Sequence, residues 1–230
     1  MMYIRKQNRF TEKQIYPYIS LEDFRLDLLS RIRKMATNNI EGVHSWESMS
    51  DEELLRSAGL YGKDRATGES GYNLAAVMLL GNDCKYIDQL MEFGRKHLSD
   101  KFFIEGVERK NLRNIITREM IANTLIHREF TSSYTAKFVI EKDRMYTENA
   151  NRSSGDGIIT PDNMEPNPKN PIIASFFRNI GWSDRLGSGV RNIFKYSKYY
   201  SGEEPEFVEG DVFRIIVPLN EDYSYDNPQN

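Results

Sequence analysis

The chain has 230 residues, 39% apolar and 12% aromatic, with 31 basic residues against 34 acidic. That length holds one large domain or two small ones, the aromatic share excludes a disordered chain, and a net charge of −3 excludes a global pull toward nucleic acid or anionic membranes. One cysteine, Cys84, excludes an internal disulfide and a thiolate metal cluster.

Elements follow in chain order. The opening MMYIRKQNRF reads as a strand and its continuation, the tail of something upstream. Leu21, Phe24, Leu28, Leu29 and Ile32 recur at helical spacing and predict a helix from Leu21 to about Met35, capped by Ser20 with Asp23 three residues on. Ser50 followed by DEELL is a capping box with Glu53, opening a short helix that ends near Gly59. KDRATGESG, residues 63–71, is a polar loop, and the LAAVMLL run of Leu74–Leu80 is core-sized. It falls far short of the roughly 20 apolar residues that span a bilayer, so no membrane contact is expected. Together with the single cysteine and the absence of a signal peptide, this predicts a cytoplasmic protein.

A second helix is predicted from Ile87 to about Leu98, and a stronger one from Leu112 to about Arg128. AKFVIEKDRMYTEN alternates around Lys142–Asp143 and predicts a hairpin. Residues 149–170, rich in Gly, Pro, Ser and Asn, form a long loop of the kind that is functional or mobile. Asn170-Pro171 opens a helix, asparagine as cap and proline at the first helical position, ending at Gly181. A further helix follows RLGSG with Val190, Ile193, Phe194 and Ser197 on one face. EFVEGDVFRIIVP gives two strands joined at residues 209–211. Helix, hairpin, helix, helix, hairpin makes an α/β sandwich with a largely antiparallel sheet.

The Leu112–Arg128 helix carries three polar residues four apart: Glu119, Asn123 and His127. At about 100° per residue they fall within an arc of roughly 80°, hemmed by Ile115, Ala122 and Ile126 on one side and Ile116 and Met120 on the other. Thr117, Arg118, Thr124 and Arg128 form the expected solvated face. A polar line among apolar residues needs partners. It is either an internal network, with Glu119 on an arginine and His127 on a carbonyl, or a polyphosphate site. In the second case Glu119 orients or deprotonates a water and Asn123 holds a magnesium ion through its oxygen. Gly187 and Gly189 stand just before the last helix, where backbone N–H groups and the helix terminus favour phosphate. With the Glu119 helix they suggest a nucleotide pocket between two helices over a sheet. Lys169, before the Pro171 helix, is a further phosphate candidate. His44 and Trp46 read as packing and capping, and the alternating KYSKYYSG of residues 195–202 fits either nucleic-acid stacking or a lysine-rich helix end.

Glu119-x-x-x-Asn123 resembles the N-box of the GHKL (gyrase, Hsp90, histidine kinase, MutL) ATPases, and Gly187-Ser188-Gly189 is similar to the glycine box of their ATP lid. REMIANTLIHREF, NPKNPIIASFFRNIGWSDRLGSGVRNI and PEFVEGDVFRIIVPL together resemble, over about residues 100–219, the C-terminal region of a bacterial group of transcriptional regulators and RecG-related ATP-dependent helicase-like proteins. HSWESMSDEELLRSAGL and TGESGYNLAAVMLLG resemble the same group, in which they link an AlbA-type, Schlafen-related DNA-binding domain to the ATPase-like region.

The resemblance implies a GHKL-like two-layer α/β sandwich with a mixed, largely antiparallel sheet, preceded by a mainly helical linking region. Residues 1–20 would be the remnant of the AlbA-type domain, 21–99 the linking region, 100–220 the ATPase-type domain and 221–230 a disordered tail, with a segment between Gly81 and Ile87 shortened. It further implies ATP and Mg2+ as cofactors, with Glu119 as base, Asn123 on the metal, and His127, Asn149, Lys169, Gly187, Ser188 and Gly189 around the nucleotide. DNA, reached through the missing N-terminal domain, and a second copy of the chain would be the partners. One departure stands out. The family's Asp-x-Gly-x-Gly box, whose aspartate reads the adenine amino group, is replaced by TENANRSSGDG. Asn149 occupies roughly the aspartate's position, with Glu148 adjacent, and an amide contacts adenine without charge assistance. No Walker A motif occurs. Three functions remain open: a regulator's nucleotide-binding module, an ATPase with Glu119 as general base, and an oligomerisation or scaffold domain that has lost its ligand.

Overall fold

Residues 10–82, 86–151, 157–160, 168–183 and 188–225 are described in a computed structural model of the chain. In chain order they form β1 (Ile15–Tyr16), α1 (Asp27–Asn38), α2 (Asp51–Ser57), β2 (Tyr61–Lys63), β3 (Ser70–Asn73), α3 (Leu74–Leu80), α4 (Tyr86–His97), β4 (Phe102–Glu105), β5 (Glu108–Asn111), α5 (Leu112–His127), β6 (Lys137–Ile140), β7 (Arg144–Ala150), β8 (Gly157–Ile159), α6 (Pro171–Asn179), α7 (Ser188–Ser201), β9 (Glu206–Glu209) and β10 (Val212–Pro218). They divide into two units, Met1–Cys84 with Lys169–Gly181 and Lys85–Pro168 with Trp182–Asn230. No helix among the described residues is long and apolar enough to cross a membrane.

In the first unit, the helix expected over residues 21–35 is broken. Ser20 does meet Asp23, its N–H donating to the carboxylate at 2.8 Å, but they cap only a 3-10 turn, Leu21–Asp23. Phe24 is then drawn into an antiparallel bridge with Gly81, Arg25 N–H donates to the Leu80 carbonyl at 2.8 Å, and the Phe24 ring meets Tyr72 edge-on at 4.7 Å. A pairing with the far end of α3 outweighs local periodicity, and α1 starts only at Asp27. The Ser50–Glu53 box caps α2 as expected. His44 accepts the Trp46 N–H at 3.2 Å, and Trp46, 2% exposed, donates to Ser57 Oγ. The stretch expected to be mainly helical, 21–99, also holds β2 and β3, which with β1 form a three-stranded antiparallel sheet in the order β1-β3-β2.

The start of α6 differs from expectation as well. Pro171 is at its first position, but the Asn170 side chain makes no cap hydrogen bond. The orphan N–H groups of the first turn go to Glu12 instead, whose two carboxylate oxygens accept from Ile172 at 2.7 Å and Ile173 at 3.0 Å. Glu12 is fully buried, and burial pushes its carboxyl above the ordinary value against the opposing pull of those hydrogen bonds.

The second unit is a two-layer α/β sandwich. Its sheet is antiparallel throughout, in the order β6-β7-β10-β9-β8. Met145, Phe207, Phe213, Ile215 and Val217 of the sheet share one core with Leu112, Ile116 and Met120 of α5 and Val190 and Ile193 of α7. A separate hairpin, β4–β5, lies in a stretch without an apolar alternation to announce it. The face of α5 expected in water is not there. Thr117 is 1% exposed and lies against Gly94 of α4, where a Cβ would fall 2.8 Å from Thr117 Cγ2. Arg118, Thr124 and Arg128 are half-buried. The tail expected to be disordered from Glu221 is held as far as Tyr225. Lys101 Nζ donates to the carbonyls of Asn220 (2.6 Å), Tyr223 (2.7 Å) and Tyr200 (3.1 Å), and Tyr225 meets Phe103 and Tyr199 edge-on. Residues 226–230 lie outside the described residues.

Glu12→Ala leaves two buried N–H groups without an acceptor and is expected to destabilise the protein by about 1–3 kcal/mol, with Glu12→Gln costing less. Because the Glu12 carboxyl titrates higher folded than unfolded, its contribution is full below the unfolded value and is lost as pH rises through the folded one. The wild type should therefore lose stability relative to Glu12→Gln across that window in urea titrations at stepped pH.

Candidate functional site

The site begins with α5, capped at Asn111, whose Oδ1 accepts the Asn114 N–H at 2.9 Å. Covered on almost every side, the helix carries Glu119 (0% exposed), Asn123 (7%) and half-buried His127 in one line. Glu119 Oε1 accepts from Asn192 Nδ2 at 3.4 Å, with an Arg118 guanidinium nitrogen 3.7 Å away. Asn123 Nδ2 donates back to the Glu119 main-chain carbonyl at 2.8 Å. One amide hydrogen is thus committed within the helix, and Oδ1 is the atom the side chain can offer a cation. The His127 ring lies 5.6 Å from that of Phe213 on β10.

Over this line comes α7. A Cβ on Gly189 would sit 3.0 Å from Glu119 Oε2 and 3.5 Å from Asn123 Nδ2. A Cβ at 189 would be in tight contact with the carboxylate, which would have to give by a few tenths of an ångström, so glycine eases the close approach of the first turn of α7 to α5. The polar line and the glycine turn, 70 residues apart in sequence, are therefore brought together. Gly187 lies outside the described residues, and Ser188 opens α7. Lys169 belongs to the first unit.

Strand alternation separates the two candidates at the adenine-reading position. Asn149 pairs in register with core residue Phe213 and Glu148 with Arg214, so the two side chains leave opposite faces of the sheet. Glu148 is fully engaged on the outer face: Tyr134 Oη donates to it at 2.6 Å, Lys137 at 3.0 Å and Arg214 Nε at 2.8 Å. These hydrogen bonds, led by Tyr134, hold its carboxyl down at about 2 despite burial. Asn149 faces the helices and is fully buried. Its Nδ2 donates to the Ala150 carbonyl at 3.0 Å, which fixes the amide orientation, and its Oδ1 meets no hydrogen-bond partner among the described residues. It presents a pure acceptor.

These observations bear on the fit of an adenine nucleotide with magnesium. The open Asn149 acceptor matches an exocyclic amine, Asn123 Oδ1 matches a hard cation, and the glycine turn matches phosphate. No group of three or more His, Cys, Asp or Glu suited to a metal occurs among the described residues. Two contributors escaped sequence reasoning. Asn192 lies one turn beyond Gly189, a spacing that places both on one face of α7, and Arg118 sits on the face assigned to water. The KYSKYYSG stretch serves packing. Lys195 and Tyr196 bond Glu105, Tyr199 stacks on Phe103 at 4.0 Å, and buried Tyr200 donates to the Ser99 carbonyl.

Comparison with known proteins gives two family matches. Residues 139–217 match a family described as "Putative ATP-dependent DNA helicase recG C-terminal", and residues 1–94 match a domain of unknown function, DUF8451. The first match includes Asn149 and Gly189 and begins after Glu119 and Asn123. Among solved structures, the DIP2311 protein from Corynebacterium diphtheriae is similar over 92% of this chain and 48% of its own, with 18% identity and a TM-score of 0.67. The likeness is one of fold, and this chain spans about half the length of that protein. No curated protein matches the chain.

The Glu148 cluster has a measurable consequence. Its carboxyl is depressed, so its contribution is present above the unfolded value and is lost as pH falls toward about 2. Glu148→Gln is expected to cost about 1.5–3 kcal/mol at neutral pH and to flatten acid unfolding, followed by circular dichroism between pH 5 and pH 2.

Proposed function

We propose that the second unit binds ATP with Mg2+ as the regulatory or weakly hydrolytic module of a DNA-binding transcriptional regulator. The observation that carries this reading is the meeting of Gly189 with Glu119 and Asn123, 3.0 and 3.5 Å from a would-be Cβ. It joins a carboxylate, an amide side chain and a helix start in one place, as phosphate chemistry requires. Asn149 supports adenine as the base. In this reading the start of α7 would take the phosphates and Asn123 Oδ1 would hold the metal, with His127 and, by sequence alone, Ser188 as further candidates. Glu119 takes the proton of a water as its oxygen bonds the γ-phosphorus and ADP departs with the bridging oxygen. By sequence alone Gly187, outside the described residues, and Lys169, in the first unit, are further phosphate candidates. Nucleotide binding would act on self-association and on DNA binding through an AlbA-type domain upstream of residue 20, in a bacterial cytoplasm, with residues 21–99 linking it to an ATPase-type domain over 100–220.

A second reading is favoured by one observation. Glu119 is 0% exposed and already held by protein donors, as expected of a scaffold or oligomerisation domain that has lost its ligand.

Calorimetry separates the two. Mg-ATP should bind the full chain and raise its stability by about 2.7 kcal/mol at a hundredfold excess over Kd, whereas no heat and no thermal shift at millimolar nucleotide leaves the scaffold. Asn149→Leu should remove the preference for ATP over ITP, about tenfold for one lost hydrogen bond. Glu119→Gln should abolish hydrolysis and spare binding.

A further inference from the structure

By sequence α6 lies between β8 and α7, both of the second unit, yet Lys169–Gly181 packs as part of the first. Side chains of the first unit hold the helix at both ends. At its start the two Glu12 oxygens accept from Ile172 and Ile173 at 2.7 and 3.0 Å. In its middle the Phe176 ring lies 6.0 Å from that of Trp46. At its end Asn39, the C-cap residue of α1, donates through Nδ2 to the carbonyls of Arg178 at 2.8 Å and Asn179 at 3.3 Å, among those that a helix end leaves without a partner. Gly181 completes this grip. Its φ is +70°, and a Cβ there would stand 2.7 Å from Asn39 Oδ1, so a left-handed glycine lets the chain turn away beneath the amide. The next residue, Trp182, is buried and belongs to the second unit. The passage between units thus takes a single peptide bond, and only residues 183–187 separate Trp182 from the start of α7.

We propose that α6 relays rearrangement of the first unit to the first turn of α7, with Glu12, Asn39 and Gly181 as its grip on the first unit. The receiving end is sensitive, because a would-be Cβ of Gly189 stands only 3.0 Å from Glu119 Oε2. As regulation of the nucleotide site this rests on the reading above, and by linkage a nucleotide that favours one placement of α7 acts back on α6 with the same coupling energy. The relay itself is a property of the ligand-free chain.

Hydrogen exchange of the full chain, read by mass spectrometry with β7 and β10 as internal reference, tests it. Asn39→Ala removes both carbonyl contacts from an exposed position, and Gly181→Ala strains the same grip through its left-handed backbone. Each should speed exchange about threefold or more in α6 and in residues 189–193, with the reference strands unchanged. Arg56→Ala, which loses the stacking of Arg56 on Tyr61 in the first unit at 3.8 Å and leaves the grip intact, should leave residues 189–193 at the wild-type rate. Mg-ATP should slow exchange in α7 and α6 together in the wild type, and in α7 alone in Asn39→Ala. Residues 189–193 that keep the wild-type rate in both grip variants overturn the relay whatever the nucleotide does, and so does an Arg56→Ala that loosens them equally. Mg-ATP that protects α7 and not α6 in the wild type overturns the regulation and spares the nucleotide reading. Wild-type protein that gives no heat with Mg-ATP overturns the nucleotide reading and the regulation built on it, while the ligand-free comparison still decides the relay.

Discussion

The contact on which the second unit turns is that of Gly189 with the Glu119 carboxylate. A buried carboxylate is costly unless donors surround it, and here the donors arrive with α7: Asn192 from its second turn, beside Arg118 of α5 itself. The same approach sets Val190 and Ile193 into the core shared with Met120 and Ile116. Packing and electrostatics are therefore satisfied by one helix position. A larger residue at 189 would press on the Glu119 carboxylate, so the glycine favours this close packing before any ligand is considered.

The sheet beneath adds a second division of labour. Successive residues of β7 face opposite sides, and the sequence places its charge on the outer side and its amide on the inner. Glu148, with three donors, is locked, and its carboxyl is held down at about 2. Asn149, one residue on, leaves an acceptor uncommitted inside the layer that α5 covers. An aspartate there would need to bury a full charge beside apolar Phe213. The amide avoids that cost and still offers an acceptor, weaker than a carboxylate.

Much of this unit could be read from periodicity. The α4, α5 and α7 helices and the β6–β7 and β9–β10 hairpins have apolar spacing strong enough to locate them within a residue or two, and the Glu119–Asn123 line was visible as polar residues in an apolar setting. What escaped has a common physical cause, which is partners remote in sequence. The Leu21 helix is interrupted because Phe24 pairs with Gly81. The α6 cap is Glu12, 160 residues away in sequence, so the local Asn-Pro signal named the right boundary and the wrong acceptor. Thr117 looked solvated because nothing in its own helix shows that Gly94 of α4 will lie against it. The β4–β5 hairpin, with ERKN on its second strand, lacks an alternation to detect.

The closeness of α7 also bears on how strongly such a site can bind. With Oε2 facing the helix turn and Glu119 fully buried, a phosphate and its metal need the first turn of α7 to give way. When the binding-competent arrangement is a minor one, the apparent Kd is the intrinsic one divided by its population, and each 1.4 kcal/mol of opening costs about a factor of ten. That cost is also what lets a ligand act as a signal, because only a ligand that favours one arrangement over another shifts the balance between them. A preformed cleft would bind more tightly and report less. Under the nucleotide reading proposed above, the closeness of Gly189 to Glu119 would suit a sensor better than an enzyme built for rapid turnover.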